Sequence, residues 1–375
     1  MTIYLIMMLL AAVISYGGTW LARGLARRFG VFTPIRDRDI HADQVARLGG
    51  LGLFLSFALV LLIASQTYFV GQIYEGTFAP WGILFGAIII VIVGVIDDIR
   101  DLPWWAKLVG QSLGALVVAL WGVRMRLFPF PTGVIEIPNP FVQIGLTVFL
   151  IVLVMNAFNF IDGLDGLAAG VAAIGGAAFF LCSYWVNRAS DRADWSDLST
   201  LLMAILVGAC LGFLLHNWSP AKIFMGDSGA MLIGLIMASA GIAATGLPTN
   251  IYARAGGIPI FVPIVLPIAI LLVPVLDLSL AVVRRTLAGR SPFSADRAHL
   301  HHRLIDLGYS HRGAVLLMYL WTFVLAFGGV AFAAFPWQIV LPLDILAVAI
   351  LAVFTIRQAQ KLTRRSAVES DTTYA

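Results

Sequence analysis

Charge is scarce in this chain. Asp, Glu, Lys and Arg make up only 12% of its 375 residues, against 60% hydrophobic ones. A soluble domain keeps about a quarter of its residues charged. A soluble fold is therefore excluded, and a mean hydropathy of +0.94 places the chain among helical membrane proteins. Cysteine is nearly absent too: Cys182 and Cys210 are the two present, both inside apolar runs. They build neither a disulfide framework nor a zinc site. No basic residue precedes the first apolar run, whereas Arg23, Arg27 and Arg28 follow it. A cleaved signal peptide has the reverse order, so a retained first span with its N-terminus outside is expected. The net charge of +4 follows from where basic residues sit relative to the spans, and no nucleic-acid partner is expected.

Eleven apolar runs are present, at 3–22, 48–65, 80–96, 105–123, 141–157, 166–186, 199–216, 229–246, 259–283, 313–334 and 339–356. Their lengths suit a hydrocarbon core ~30 Å thick. They predict an all-α polytopic integral membrane protein of about 11 transmembrane helices. Residues 1–356 form a single transmembrane catalytic domain, and 357–375 a polar, frayed cytoplasmic tail. With the N-terminus outside, the cytoplasmic segments hold nineteen Lys and Arg and the opposite segments five. This positive-inside bias sets the expected orientation and puts the C-terminus in the cytoplasm. All six histidines, with Asp97, Asp98, Asp101, Asp162, Asp165 and Asp227, fall on or beside that cytoplasmic side. A transporter concentrates ionisable groups near the midplane; a one-sided gathering points to a reaction at the inner surface of the cell membrane.

The chain is organised around Asn156-Ala-Phe-Asn-Phe-Ile-Asp-Gly-Leu-Asp-Gly166, between two of the runs. Asn156, Asn159, Asp162 and Asp165 recur three apart, and on a helix such steps turn by about 60° net, crowding one face. Carboxylates at a membrane boundary ask for a cation or a ligand; a polar turn joining two spans is the bland alternative. Asp97-Asp98 end the third run, where adjacent carboxylates repel unless a cation holds them or one is protonated. They also oppose the helix dipole there. Lys107 opens the next run as a point charge for phosphate, and Trp104 and Trp105 read as interfacial anchors. Asp227 and Ser228 lie between Gly226 and Gly229 at the start of the eighth run. There an aspartate completes an oxygen-ligand set of the kind Mg²⁺ takes, or simply caps the helix.

Two loops carry the remaining candidates. The first holds His41 and Arg47-Leu-Gly-Gly, suited to a phosphate, to lipid headgroups or to close helix packing. The longest holds Arg290, Arg297, His299, His301 and His302. Arginines flank its histidines and no cysteine is near, which suits an anionic ligand better than zinc.

Together these motifs resemble the polyprenyl-phosphate N-acetylhexosamine-1-phosphate transferases, over nearly the whole chain and in the same order. Asp97-Asp98 with Lys107, the Asn159/Asp162/Asp165 run, Met-Gly-Asp227-Ser-Gly and His299-x-His301-His302 each look like a family motif. The His-x-His-His form is similar to the WecA/TagO branch rather than to MraY. One departure is Gln44 and Ala46, where the family's first loop carries prolines; this puts the loop's rigidity in question.

The resemblance implies transfer of N-acetylglucosamine-1-phosphate from UDP-GlcNAc to a polyprenyl (undecaprenyl or decaprenyl) phosphate. UMP is released in this first lipid-linked step of a cell-envelope polymer. It further implies Mg²⁺, or Mn²⁺ in its place, on Asn159 and Asp227. Asp97 or Asp98 would hold or deprotonate the lipid phosphate beside Lys107, and Asp162 and Asp165 would shape the metal and nucleotide site. Arg290, Arg297, His299, His301 and His302 would grip pyrophosphate and sugar, with His41 and Arg47 as further substrate-binding residues. Homodimer assembly is compatible with the resemblance. The alternatives are an MraY-type enzyme using a UDP-muramoyl-pentapeptide, and a transporter of a lipid phosphate or nucleotide sugar.

Overall fold

Ten of the eleven apolar runs become helices in a computed structural model, which describes residues 1–32, 44–130, 133–188, 197–245, 286, 304–305 and 307–373. The run at 259–283 lies outside the described residues. The helices are α1 (Thr2–Phe29), α2 (Gly49–Ser65), the short α3 (Gln72–Gly76), α4 (Ala79–Arg100), α5 (Trp104–Leu120), α6 (Pro140–Ile161), α7 (Leu167–Arg188), α8 (Leu198–Asn217), α9 (Gly226–Thr245), α10 (His311–Ala334) and α11 (Trp337–Thr373). Eight of these are long and apolar enough to cross a membrane. Helices α2 and α5, at 17 residues each, are about 25 Å long and fall short of the ~30 Å hydrocarbon core.

Local chemistry sets the helix ends. The Asn139 side chain accepts the Phe141 N–H and Pro140 supplies the first helical φ of α6. Asp197 caps α8 through the Thr200 N–H, and Ser310 caps α10 through Gly313. Gly30, at φ 69°, closes α1 in the left-handed region.

Helix α9 is the hub, packing against α2, α4, α6 and α8. A Cβ at Gly94 of α4 would collide with the Ser228 backbone, one at Gly50 of α2 with Gly229, and one at Gly234 of α9 with Met155 of α6. Small residues let backbones approach where lipid gives little hydrophobic drive for association. Gly50 is thus a packing residue. Elsewhere Gly208 and Gly212 of α8 admit the Met8 and Ala12 carbonyls of α1, and Ser15 and Ser56 donate to the Ala209 and Ala11 carbonyls at 2.7 Å.

Three expectations change. The all-α reading gains two small sheets: an antiparallel hairpin, β2 (Leu127–Phe130) with β3 (Gly133–Glu136), and a parallel pair, β1 (Ala46–Arg47) with β4 (Ile223–Phe224). This second pair, with an Ala46 bridge to Phe32, fixes Ala46 and Arg47 against the strand that leads into α9. The tail expected to fray instead continues α11 to Thr373, because no Gly or Pro follows Pro342. Finally, the run from Asn156 to Asp165 does not share one helix face. Helix α6 stops at Ile161, Asp162 is its C-cap, and Gly166 turns the chain at φ 79°.

The ends of α1, α4, α6 and α8 and the starts of α2, α5, α7, α9 and α10 gather at one end of the bundle. The β1–β4 pair and the hydrogen bonds from Arg312 to the Ser219 carbonyl tie them there. Asn159 and Asp227 therefore lie at the same end.

Candidate active site

The β1–β4 pairing carries Arg47 into the acidic cluster that α4 and α9 bring together. Arg47 Nε lies 3.0 Å from Asp98 Oδ1, and Nη2 lies 3.2 Å from Asp227 Oδ1. Burial works against the Arg47 charge, but Asp98, Asp227, Asp97 and Asp101 outweigh it and hold its pKa above the ordinary value. Lys107, at the start of α5, reaches two carboxylates at once: its Nζ is 2.7 Å from Asp97 Oδ2 and 2.7 Å from Asp227 Oδ2.

Asp98 is only 6% exposed and has no free oxygen. Oδ1 accepts the Asp227 N–H at 2.8 Å in addition to Arg47, and Oδ2 accepts the Ser228 hydroxyl at 2.8 Å and its N–H at 3.4 Å. A carboxylate at the end of α4 thus caps the N-terminus of α9, where free N–H groups and the helix dipole favour an anion. Gly226, at φ 72°, lets the chain turn there, since a Cβ would strike the Asp98 carboxylate. Asp97, at 1% exposed, accepts the Leu102 N–H at 2.7 Å through Oδ1 while Oδ2 holds Lys107. The paired aspartates are therefore buried supports.

Asp162 is half-buried beyond the end of α6. Burial first, then the negative charge of Asp227, pushes its carboxyl up to about 7, with Arg47 opposing. Asp165 is turned elsewhere. Its Oδ2 accepts the Ala221 N–H at 3.0 Å, while Asn217 accepts the Gly166 N–H and donates to the Ile223 carbonyl, each at 2.9 Å. Asp165 and Asn217 clasp the turn after α6 to the strand leading into Asp227. Tyr319 of α10 adds a hydrogen bond to the Gly166 carbonyl. Asp165 thus helps to hold the site's frame, and its charge also acts on Asp162.

Asn159 is half-buried on α6. Its level follows from the helix register. One turn deeper, Asn156 of α6 exchanges hydrogen bonds with Gln111 of α5, and Gln111 touches the Met231 sulfur of α9. Stepping one turn back along each helix reaches Asn159, Lys107 and Asp227. Arg47, Asp97, Asp98, Lys107 and Asp227 thus touch one another, with Asn159 at the same level; His41, Arg290, Arg297, His299, His301 and His302 lie outside the described residues. Sequence reasoning missed Gln111 and Asn217. A lone amide within an apolar span was the available signal for Gln111.

Among the described residues no three His, Cys, Asp or Glu side chains converge on one metal position. Arg47 and Lys107 stand between the carboxylates instead. Even so, Asp97, Asp98, Asp101 and Asp227 outnumber those two cations, leaving an oxygen-rich, net negative site. With Asp97 and Asp98 engaged internally, Asp227 is the carboxylate left to suit Mg²⁺, which takes one or two carboxylates and shares the rest of its shell with water and substrate phosphates.

Residues 80–245 match the family described as glycosyl transferase family 4. The chain is 41% identical to a decaprenyl-phosphate N-acetylglucosaminephosphotransferase of Mycolicibacterium smegmatis, over 93% of this chain and 87% of that one. It is 42% identical to the enzyme of that name in Mycobacterium tuberculosis, over 85% and 80%. It is also 27% identical to an undecaprenyl-phosphate alpha-N-acetylglucosaminyl 1-phosphate transferase of Escherichia coli, over 92% and 89%. With Arg47, Lys107 and four aspartates gathered at one end of a bundle of apolar helices, this chain belongs to the polyprenyl-phosphate N-acetylglucosamine-1-phosphate transferases of glycosyl transferase family 4.

Proposed function

We propose that this protein transfers N-acetylglucosamine-1-phosphate from UDP-GlcNAc to a membrane polyprenyl phosphate. The observation that carries this reading is the sharing of Lys107 between Asp97 and Asp227, beside Arg47, at the helix ends of a membrane bundle. This is a place where two phosphate-bearing substrates can meet at the membrane boundary.

An oxygen of the lipid phosphate bonds to the phosphorus that carries the sugar, the bond to UMP breaks, and a polyprenyl-pyrophosphoryl sugar remains. A phosphate monoester is already largely dianionic near neutral pH, so the attack needs no strong base. This agrees with the buried, fully engaged state of Asp97 and Asp98. The work left to the protein is positioning and charge neutralisation. Lys107 and Arg47 attract the phosphates, and Asp97 and Asp98 keep those cations aimed. Asn159 and Asp227 would hold a Mg²⁺ or Mn²⁺ ion, with Asp162 beside them. When bound, the ion supplies charge neutralisation at the donor pyrophosphate. Arg290, Arg297, His299, His301, His302 and His41 complete the reading as donors to pyrophosphate and sugar.

The reading includes eleven spans, an external N-terminus and a site on the cytoplasmic face of the cell membrane. Its supports are the nineteen-to-five basic bias and the parity of the described helices, since α9 leaves the site end and α10 starts back at it. The test is transfer of radiolabel from UDP-GlcNAc into an organic-extractable lipid, in membranes given polyprenyl phosphate, with Mg²⁺ present or chelated. Mg²⁺-dependent label in lipid with stoichiometric UMP is the expected result. Label passing from UDP-muramoyl-pentapeptide instead, or UDP-GlcNAc crossing the bilayer intact, overturns it.

A further inference from the structure

Gln111 is 2% exposed in the middle of an apolar helix, one turn below Lys107. Its amide is fully engaged. Asn156 Nδ2 donates to Gln111 Oε1 at 2.8 Å and to the Val152 carbonyl at 2.8 Å. Gln111 Nε2 faces Asn156 Oδ1 at 3.5 Å and the Met231 sulfur at 3.2 Å. One side chain therefore touches both α6, which carries Asn159, and α9, which begins with Asp227.

Apolar residues would fill this position without the desolvation that an amide costs. What they lack is direction. Two apolar side chains tolerate a slide of one helix along another, whereas a reciprocal amide pair is satisfied at one offset only, and a slip leaves buried polar groups unpaired. The offset matters one turn above, where Lys107 Nζ is held at 2.7 Å from both Asp97 and Asp227. A rise of about 1.5 Å per residue means that a shift of a single position would break both contacts.

We propose that Gln111 is a positioning residue: paired with Asn156 and resting on Met231, it sets the height of α5 so that Lys107 stands level with Asn159 and Asp227. The proposal rests on the transferase reading for its kinetic consequence, but not for its structural one.

Lys107, Lys222 and Lys361 are the lysines of the chain, which allows a direct test on the full-length protein in detergent micelles. Acetic anhydride labelling, read by mass spectrometry, reports how firmly Lys107 is held, with Lys222 as internal reference. In Gln111→Leu, Lys107 labelling should rise several-fold relative to Lys222. Label transfer should fall roughly tenfold to a hundredfold, as misplacements near 1 Å do, with the KM for UDP-GlcNAc unchanged. The exchanged pair Gln111→Asn with Asn156→Gln should restore both. Should Gln111→Leu fail to fold, Asn156→Leu is read in the same way from the other helix. Unchanged Lys107 labelling in the folded Leu variant overturns the proposal whatever the activity. So does an altered variant that the exchanged pair does not restore. A wild-type protein without transfer activity whose labelling still responds to Gln111→Leu overturns the transferase reading and leaves the positioning role standing.

Discussion

Asp98 accepts the backbone N–H of Asp227 at 2.8 Å, so a carboxylate at the close of one helix caps the opening of another 129 residues away in the chain. The acid that faces the site is thereby held by an acid that does not. Because Asp98 also receives Arg47 and the Ser228 hydroxyl, its removal takes the nearest partner from Arg47, which keeps Asp227, and leaves the first N–H groups of α9 uncapped. Leaving buried N–H donors without an acceptor costs about 1–3 kcal/mol. Asp98→Ala should lower the thermal unfolding midpoint in detergent and lose activity together. Asp98→Asn, which keeps an acceptor for the cap, should recover part of the stability. Equal midpoints for Asp98→Ala and wild type would show that the cap is dispensable.

Asp227 and Lys107 face the site and should behave differently from Asp98. Asp227→Ala should abolish transfer at every Mg²⁺ concentration while the folded protein is retained. Lys107→Ala leaves Asp97 and Asp227 without their shared cation and should raise the KM for the lipid phosphate or lower turnover. Steady-state kinetics on both substrates check this; wild-type constants for Lys107→Ala would remove it from the site.

Gly226 tests the close fit at the same junction. Its φ of 72° is strained for a side-chain-bearing residue, and an added Cβ would strike the Asp98 carboxylate. Gly226→Ala should therefore reproduce the loss of stability expected of Asp98→Ala. The double variant should be less than additive, because both changes damage one cap. Thermal unfolding of the four proteins gives the comparison.

Asp162 supplies a pH dependence. Its folded pKa of about 7 lies above the ordinary carboxyl value, so the folded protein holds a proton that the unfolded chain releases earlier. The associated stability is fully present below about pH 4, the ordinary carboxyl value, and is lost as pH rises towards 7. In chelator-treated protein the unfolding midpoint should decline across that interval, and Asp162→Asn should flatten the decline. An unchanged slope in Asp162→Asn would assign the dependence to another group.

Much of the architecture was legible in the residues. Apolar runs long enough to span a bilayer announce helices because each segment must satisfy its own backbone in lipid. That reasoning placed α1, α4, α6, α7, α8 and α9 closely. It failed at the end of α6, where spacing by three suggested one face but Asp162 leaves the helix. It also failed at the tail, where polarity suggested fraying but α11 continues. Among the acids, sequence could not divide supports from site groups. Asp97 and Asp98 look no more buried on paper than Asp162.

Composition and periodicity along single segments set the membrane class, the order of the spans and the gathering of ionisable residues at one end of them. Folding in three dimensions was needed to show that Arg47 reaches Asp98 and Asp227, that Lys107 stands between two aspartates, and that Asp165 and Asn217 hold the frame. Those choices depend on distances between residues far apart in the chain, set by how closely glycine-lined helices approach one another, and no local pattern encodes them.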